Sequence, residues 1–304
     1  MPGQKPRYGR IILGVVIPLS ICYGLLSPTI AAPLYNKLLF YPDYPVRYEK
    51  ERYRVDSLEG VPKTDLHIPS INGAKLHAWF FKHPKSKYVV VVSHGNAGNL
   101  SDRDALAVDI LKLGFSVLLY DYQGYGLSEG APSIKNVCDD GVAVYDYLHS
   151  QFHYDGDHII LYGESLGCAV ACYTSSIRPS CGLVLESGFS SLKQISSEKF
   201  VIFKAYPSFM FPRPNLDNVA ILKQKHPPLL LIHGGQDTTV PPSHSVYLYE
   251  AASKPKQLVI LPNSGHYVAE EDNPRFMEAL GRFFSQLQKV SNENASAEAG
   301  TYHS

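Results

Sequence analysis

Ser165 sits at the centre of Gly163-Glu164-Ser165-Leu166-Gly167, a G-x-S-x-G pattern. Where a strand enters such a pattern and a helix leaves it, the turn lifts the serine hydroxyl clear of the backbone and offers it as a nucleophile. Both flanks are present here. The apolar run Ile159-Ile160-Leu161 comes before, and small, helix-compatible residues come after. The glycines let neighbouring chain crowd the turn at points where a side chain would clash. The plainer reading, a small residue between two glycines, stands until a base and an acid are found. A serine hydroxyl attacks poorly unless a base takes its proton, and that base needs an acid to fix its tautomer and stabilise its cation.

In an open α/β sheet, ligands bind beyond the carboxyl ends of the strands, so partners for Ser165 belong in loops that directly follow apolar runs. "LLLIHGG" leads into Asp237, and "LVILPNSG" leads into His266. Alone, a histidine in a glycine-bearing loop reads as a solvated residue, and an aspartate after a strand reads as a turn-former or helix cap. The joint placement, with Ser165, Asp237 and His266 in the chain order serine, acid, histidine, selects a catalytic triad. Glu186, which ends "GLVLE", is the rival acid. Asp237 is preferred because it lies in a polar loop rather than at a strand end. An oxyanion needs backbone donors placed in advance. The amide of Leu166 supplies one, and "SHGNAGN" after "YVVVV" supplies another through Asn96, with Ala97 as the alternative. His94 braces that loop. No H-E-x-x-H or clustered Cys/His spacing occurs, so neither a metal nor any other cofactor is called for.

The whole chain sets bounds on this chemistry. Its 28 basic and 28 acidic residues cancel, which argues against nucleic acid as a partner. The five cysteines, Cys22, Cys138, Cys168, Cys172 and Cys181, are odd in number and include no C-x-x-C pair. That pattern indicates neither a disulfide framework nor a zinc site. From Ile11 to Asn36 no residue is charged. A stretch above about 18 apolar residues can cross a bilayer, and membrane spans tolerate prolines such as Pro18 and Pro28. The expectation is a single-pass N-terminal membrane anchor. A cleaved signal peptide, with Ala31 or Ala32 near the cut and a secreted product, and a helix packed on the domain are the alternatives. Lys5, Arg7 and Arg10 before the segment, against Lys37, Arg47 and Lys50 after it, lean towards a catalytic domain outside.

Beyond the anchor, the elements that must hold the triad can be read off. "TDLHIPSINGAKLHAWFFK" holds two alternating runs around Asn72-Gly73, a hairpin signal. Apolar runs and amphipathic helices then alternate, which implies a mostly parallel sheet covered on both faces. The chain divides into a hydrophobic anchor with a basic flank over 1–37, an α/β domain over 38–289 with a small cap inside 187–226, and a tail over 290–304. The tail lacks apolar periodicity and reads as disordered. The cap carries Phe200, Phe203, Tyr206, Phe209, Met210 and Phe211, as an acyl-chain wall, a bilayer-touching surface, or a core-facing helix with a packed loop.

"SHGNAGN", "YDYQGYGLSEGAPS", "LYGESLG", "ESGFSSL", "HGGQDTTVP" and "NSGH" together resemble the successive signatures of α/β-hydrolase-domain serine hydrolases, including membrane-anchored lipid and acyl-protein hydrolases. The resemblance runs from Leu38 to Leu287. It implies an eight-stranded, mostly parallel sheet with an early antiparallel hairpin, and supports the triad at the matching positions. Gln123 departs from the arginine that many relatives place there, which removes a loop salt bridge. The membrane-anchored, depalmitoylating members rely on an N-terminal cysteine cluster, and only Cys22 lies in that region here. The expected substrate is an ester or thioester of a lipid-like acyl group. A peptidase of the same fold and a non-catalytic lipid- or partner-binding protein are the alternatives.

Overall fold

The structure, a computed structural model, describes residues 15–42 and 54–301, with 291–301 described as backbone. The basic residues Lys5, Arg7, Arg10, Arg47 and Lys50 lie outside the described residues. One sheet holds nine strands in the spatial order β11-β10-β9-β8-β5-β7-β4-β3-β2. In chain order they are β2 (Ser57–Leu58), β3 (Val61–Pro69), β4 (Lys75–Phe81), β5 (Val89–Ser93), β7 (Ser116–Tyr120), β8 (Ile159–Glu164), β9 (Gly182–Glu186), β10 (Leu229–Gly234) and β11 (Lys256–Leu261). Two further strands, β1 (Tyr41–Pro42) and β6 (Ala97–Gly98), form a separate parallel pair. From β11 to β7 all five neighbouring pairs are parallel; from β7 to β2 all three are antiparallel. The expected eight strands become nine because the two-residue β2 adds to the edge of β3, a length too short to leave an apolar run. The Asn72-Gly73 hairpin forms as expected, with Pro69 opposite Lys75 and Gly73 at φ +87°.

Period-two alternation divides the core. Val89 and Val91 of β5, Leu118 and Tyr120 of β7, Ile159 and Leu161 of β8, and Leu229 and Leu231 of β10 enter one apolar layer. Their neighbours Val90, Val117, Leu119, Ile160, Tyr162, Leu230 and Ile232 enter the other. The first layer is closed by α4 (Ile134–Phe152) and α5 (Leu166–Ile177), the second by α3 (Asp104–Lys112) and α10 (Asn273–Thr301). Strands that are apolar on both faces need this double cover. The chain turns back at β5, which pairs with β7 on one side and β8 on the other, so the loops after β5 and β8 meet at the switch point where α/β ligand crevices form.

Of the expected N-terminal anchor, residues 11–14 lie outside the described residues, and the rest is not one continuous helix. No helix among the described residues is long and apolar enough to cross a membrane. The segment is broken into α1 (Ile17–Leu25) and α2 (Ala32–Leu39), each with proline at its first turn. The break around Pro28 is fixed by the cap: Thr29 donates to Met210 O from both N and Oγ1, at 2.9 and 2.8 Å. Proline cannot supply the amide that would continue a helix, and the freed chain folds back onto the domain. Over the tail expected at 290–304, the backbone of α10 continues to Thr301, and residues 302–304 lie outside the described residues. A packed helix has already met the cost of nucleation, and residues such as Ala295, Ala297 and Ala299 then extend it cheaply.

Among the described glycines, Gly167 of α5 shares with Gly234 the closest approach to neighbouring backbone: a methyl group at Gly167 would fall 1.8 Å from Ser93 O of β5. Neither backbone can move without breaking the sheet. Gly167→Ala is expected to lower unfolding free energy by about 1–3 kcal/mol or more, while Gly24→Ala, which meets nothing within 4 Å, leaves it unchanged or raises it. Denaturant midpoints of the two variants check this.

Candidate active site

Strand β8 ends at Glu164, α5 begins at Leu166, and Ser165 between them has φ 52° and ψ −112°. A non-glycine residue at such angles costs about 1–3 kcal/mol and persists only where its surroundings impose it. Here they do. Ser165 N donates to Glu186 O at 2.8 Å, and Cys168 N donates to Ser165 O at 3.1 Å. Cys168 Sγ reaches both Gly163 O and Glu186 O, at 3.0 and 3.1 Å. A side chain at Gly163 would strike Gly167 O at 2.4 Å, so the turn closes only with glycine there. Leu166 is the first residue of α5, and an amide at that position has no partner within its own helix.

His266 Nδ1 lies 2.7 Å from Asp237 Oδ2. An ionised carboxylate only accepts, so Nδ1 carries the hydrogen and Nε2 keeps its lone pair. Burial works against the charge on Asp237, but hydrogen bonds from His233, His266 and Val240 N outweigh it and hold the carboxyl well below its ordinary range. Thr239 N and Val240 N both donate to its Oδ1, at 2.7 and 2.9 Å. No hydrogen bond joins Ser165 Oγ to His266 among the described residues. Their backbones are held to consecutive residues of one strand end instead: Ser165 N to Glu186 O, and Ser187 Oγ to His266 O at 2.9 Å. Catalytic hydrogen bonds are often long before substrate arrives.

The loop after β5 borders Ser165, since a methyl group at Gly95 would lie 3.6 Å from its Cβ. His94 is buried and neutral, its pKa pushed down to about 3 by burial and by the charge of Arg103. It braces the loop through Nδ1, 2.7 Å from Gly95 O. Asn96 O accepts from Tyr41 N at 2.9 Å and from Tyr125 OH at 2.8 Å.

The profile of a family described as Hydrolase_4, serine aminopeptidase S33, matches residues 84–218. An uncharacterised membrane protein of Saccharomyces cerevisiae is 32% identical over 239 residues, 76% of this chain and 83% of the relative. Alpha/beta hydrolase domain-containing protein 17B of Xenopus laevis is 28% identical over 207 residues, 67% of this chain and 68% of the relative. The chain belongs to the α/β-hydrolase family. An esterase structure from Pyrococcus furiosus superposes with a TM-score of 0.66 at 20% identity, covering 82% of this chain and 98% of that one, a likeness of fold.

Within this α/β-hydrolase, two residues, one beside the elbow and one beside Asp237, were not legible as site residues. Arg103 binds Glu164 bidentately, Nε to Oε2 at 2.9 Å and Nη2 to Oε1 at 2.6 Å. Its Nη1 also reaches Ala97 O and Asn99 O at 3.3 Å. One buried guanidinium thus ties the loop after β5 to the residue before Ser165. Removing one partner of such a pair costs about 3–5 kcal/mol. The only signal in the sequence is the Asn99–Asp102 capping box beside it. His233 is the second, with Nε2 2.8 Å from Val240 O and 3.2 Å from Asp237 Oδ2.

Glu186 does not act on His266 by hydrogen bond. Its carboxyl accepts from Tyr162 OH and, at 3.2 Å, from Ala269 N. With Glu164, Arg103, Asp109, Tyr267 and Glu270 it lines a polar cleft beside the elbow. In place of the loop salt bridge that the resemblance implied, Gln123 donates hydrogen bonds, its Nε2 2.7 Å from Asp140 Oδ1 and 3.2 Å from Ser70 Oγ. The six cap residues divide. Phe203, Tyr206 and Phe211 are buried, Met210 packs at the edge of the core, and Phe200 and Phe209 are 51% and 73% exposed.

Burial, reinforced by the charge of Glu164, raises the Glu186 pKa to about 7, against the hydrogen bonds from Tyr162 and Ala269 N. The folded protein therefore holds a proton that the unfolded chain releases, and stability falls as pH rises from the ordinary carboxylate range through about 7. Glu186→Gln is expected to lose less stability than wild type between mildly acidic and mildly alkaline buffer. Denaturant unfolding at both pH values reads this; equal losses in the two proteins would contradict the assignment.

Proposed function

We propose that the protein is a serine hydrolase cleaving carboxylic esters or thioesters of lipid-like acyl groups through an acyl-enzyme on Ser165. The observation that carries the reading is the pairing of a forced left-handed serine with a histidine whose Nδ1 hydrogen is held by a buried, ionised aspartate. In the first step His266 Nε2 takes the Ser165 proton as Oγ bonds to the substrate carbonyl carbon. The negative charge moves to the carbonyl oxygen, where the Leu166 and Asn96 amides receive it. The carbon–oxygen or carbon–sulfur bond then breaks, and His266 gives its proton to the departing alcohol or thiol. In the second step His266 takes a proton from water, hydroxide adds to the acyl carbon, and Ser165 Oγ leaves with the proton returned. No cofactor enters either step.

The acyl preference rests on the apolar cap. The membrane association expected from the sequence belongs to the same proposal. It is carried by the exposed Ile17, Leu19, Ile21 and Leu25 of α1 together with Val201 and Phe209 of the cap. A second reading, an aminopeptidase, is favoured by the family description and by the acidic cleft beside the elbow, whose carboxylates suit a free amino group.

A fluorophosphonate probe is expected to label the wild type, to lose all labelling with Ser165→Ala, and to lose most of it with His266→Ala. Asp237→Asn is expected to slow labelling by about 10⁴-fold, far more than Glu186→Gln. Turnover of p-nitrophenyl esters without release of naphthylamine from aminoacyl naphthylamides selects the esterase reading, and the reverse selects the peptidase. A folded wild type that takes no label refutes both and leaves a binding protein.

A further inference from the structure

An apolar groove lies between the N-terminal helix pair and the cap. Ala32, Tyr35 and Leu39 line one side; Leu192, Phe203 and Phe211 line the other, and no charged residue takes part. Its enclosed part is about 90 Å³, a narrow slot beside the roughly 300–1,000 Å³ of whole small-molecule sites.

The two walls are fastened to one another. Besides the paired bonds of Thr29 to Met210 O, Tyr23 OH donates to Ala205 O at 2.6 Å. The Tyr23 and Tyr206 rings stack at 4.6 Å, and Tyr35 meets Phe203 edge-on at 5.0 Å. One wall of the groove is tied to the loop after β5. Leu39 O accepts from Asn96 Nδ2 at 2.9 Å, Tyr41 N donates to Asn96 O at 2.9 Å, and Tyr41 pairs with Ala97. On the other side Leu192 opens the cap helix α6 (Leu192–Lys199), soon after Ser187, whose hydroxyl holds His266 O. The outer end is rimmed by Leu38 and Phe200, which are half exposed, with Val201 and Ile202 following in the chain. An apolar groove with an apolar rim, one of whose lining residues, Leu39, is bonded to Asn96 of the oxyanion loop, suits a flexible hydrocarbon chain. Each methylene buried in it strengthens binding by roughly four-fold.

We infer that this groove takes the aliphatic chain of the acyl group while its carbonyl lies at Ser165, so that α2, which precedes the first strand of the sheet, is part of the substrate site. The inference rests on the acyl-hydrolase reading above. It assigns α2 a wall of the groove and, through Leu39 and Tyr41, a hold on the loop that carries the Asn96 amide.

The test compares kcat/KM for p-nitrophenyl decanoate and p-nitrophenyl butyrate in the full chain. Wild type is expected to favour decanoate by about ten-fold or more. Ala32→Trp and Ser196→Trp fill the groove from opposite walls and are expected to cut that ratio by about ten-fold or more. A ratio unmoved in both folded variants overturns the inference. Should indole prevent folding, Ala32→Leu reads the same ratio. Binding of a dansylated undecanoic acid to Ser165→Ala, with and without Ala32→Trp, separates the two proposals. Binding that Ala32→Trp abolishes, with no ester turnover by wild type, leaves an alkyl-chain site and refutes the hydrolase. Ester turnover with neither chain-length preference nor probe binding refutes the groove alone.

Discussion

Ser165 N donates to Glu186 O across the ends of β8 and β9, and the residues on either side of that bond carry the site. Ser165 itself and Ser187, the next residue after Glu186, are both forced to positive φ. The side chain of Glu186 holds Ala269 N, and that of Ser187 holds His266 O. One strand end therefore fixes the Ser165 backbone and the His266 loop together. The glycine contacts at 163 and 167 keep the elbow from relaxing, because any side chain there would enter neighbouring backbone. Strain at Ser165 is sustained by packing spread over three strands and a helix rather than by a local bond.

Two buried carboxyls lie close to this strand end and are driven in opposite directions. Asp237 is met by donors from His266, His233 and the amides of Thr239 and Val240, which favour the ionised form. Glu186 is set deeper, with Glu164 as a neighbouring negative charge, and the protonated form is favoured up to near neutrality. Surroundings that push two like groups apart in this way assign them different tasks. Asp237 serves as a permanent anion behind the imidazole, and Glu186 as a clamp between the elbow and the loop after His266. Arg103 supplies the compensating cation, spent on Glu164 rather than on Glu186.

Much of this was legible in the chain. Runs such as "YVVVV" and "LLLIHGG" are apolar on both strand faces, which only a covered parallel sheet accommodates, and the polar groups after them had to lie on one edge. That placed Ser165, Asp237 and His266 on common ground before any distance was known. The Arg103–Glu164 pair was not legible, because 61 residues separate its members and only the meeting of the loops after β5 and β8 joins them. The break in the N-terminal segment was not legible for a different reason. Uncharged length alone suits a bilayer, but Pro28 breaks the helix, and Thr29, Tyr23 and Tyr35 find partners in the cap. Hydropathy sums over residues and does not register such contacts. The cap aromatics were similarly mixed in outcome, because a 3₁₀ path through Val201–Ala205 and Ser208–Met210 has no fixed face to predict.

The central claim is that Ser165 becomes covalently acylated. The direct measurement is rapid mixing of the wild-type chain with a p-nitrophenyl ester, acid quench in the first turnover, and mass spectrometry of the peptides. The account predicts a burst of nitrophenol approaching one equivalent and a single acyl adduct, on the peptide containing Ser165. Sustained turnover with no adduct there, or with the adduct on another residue, would contradict it.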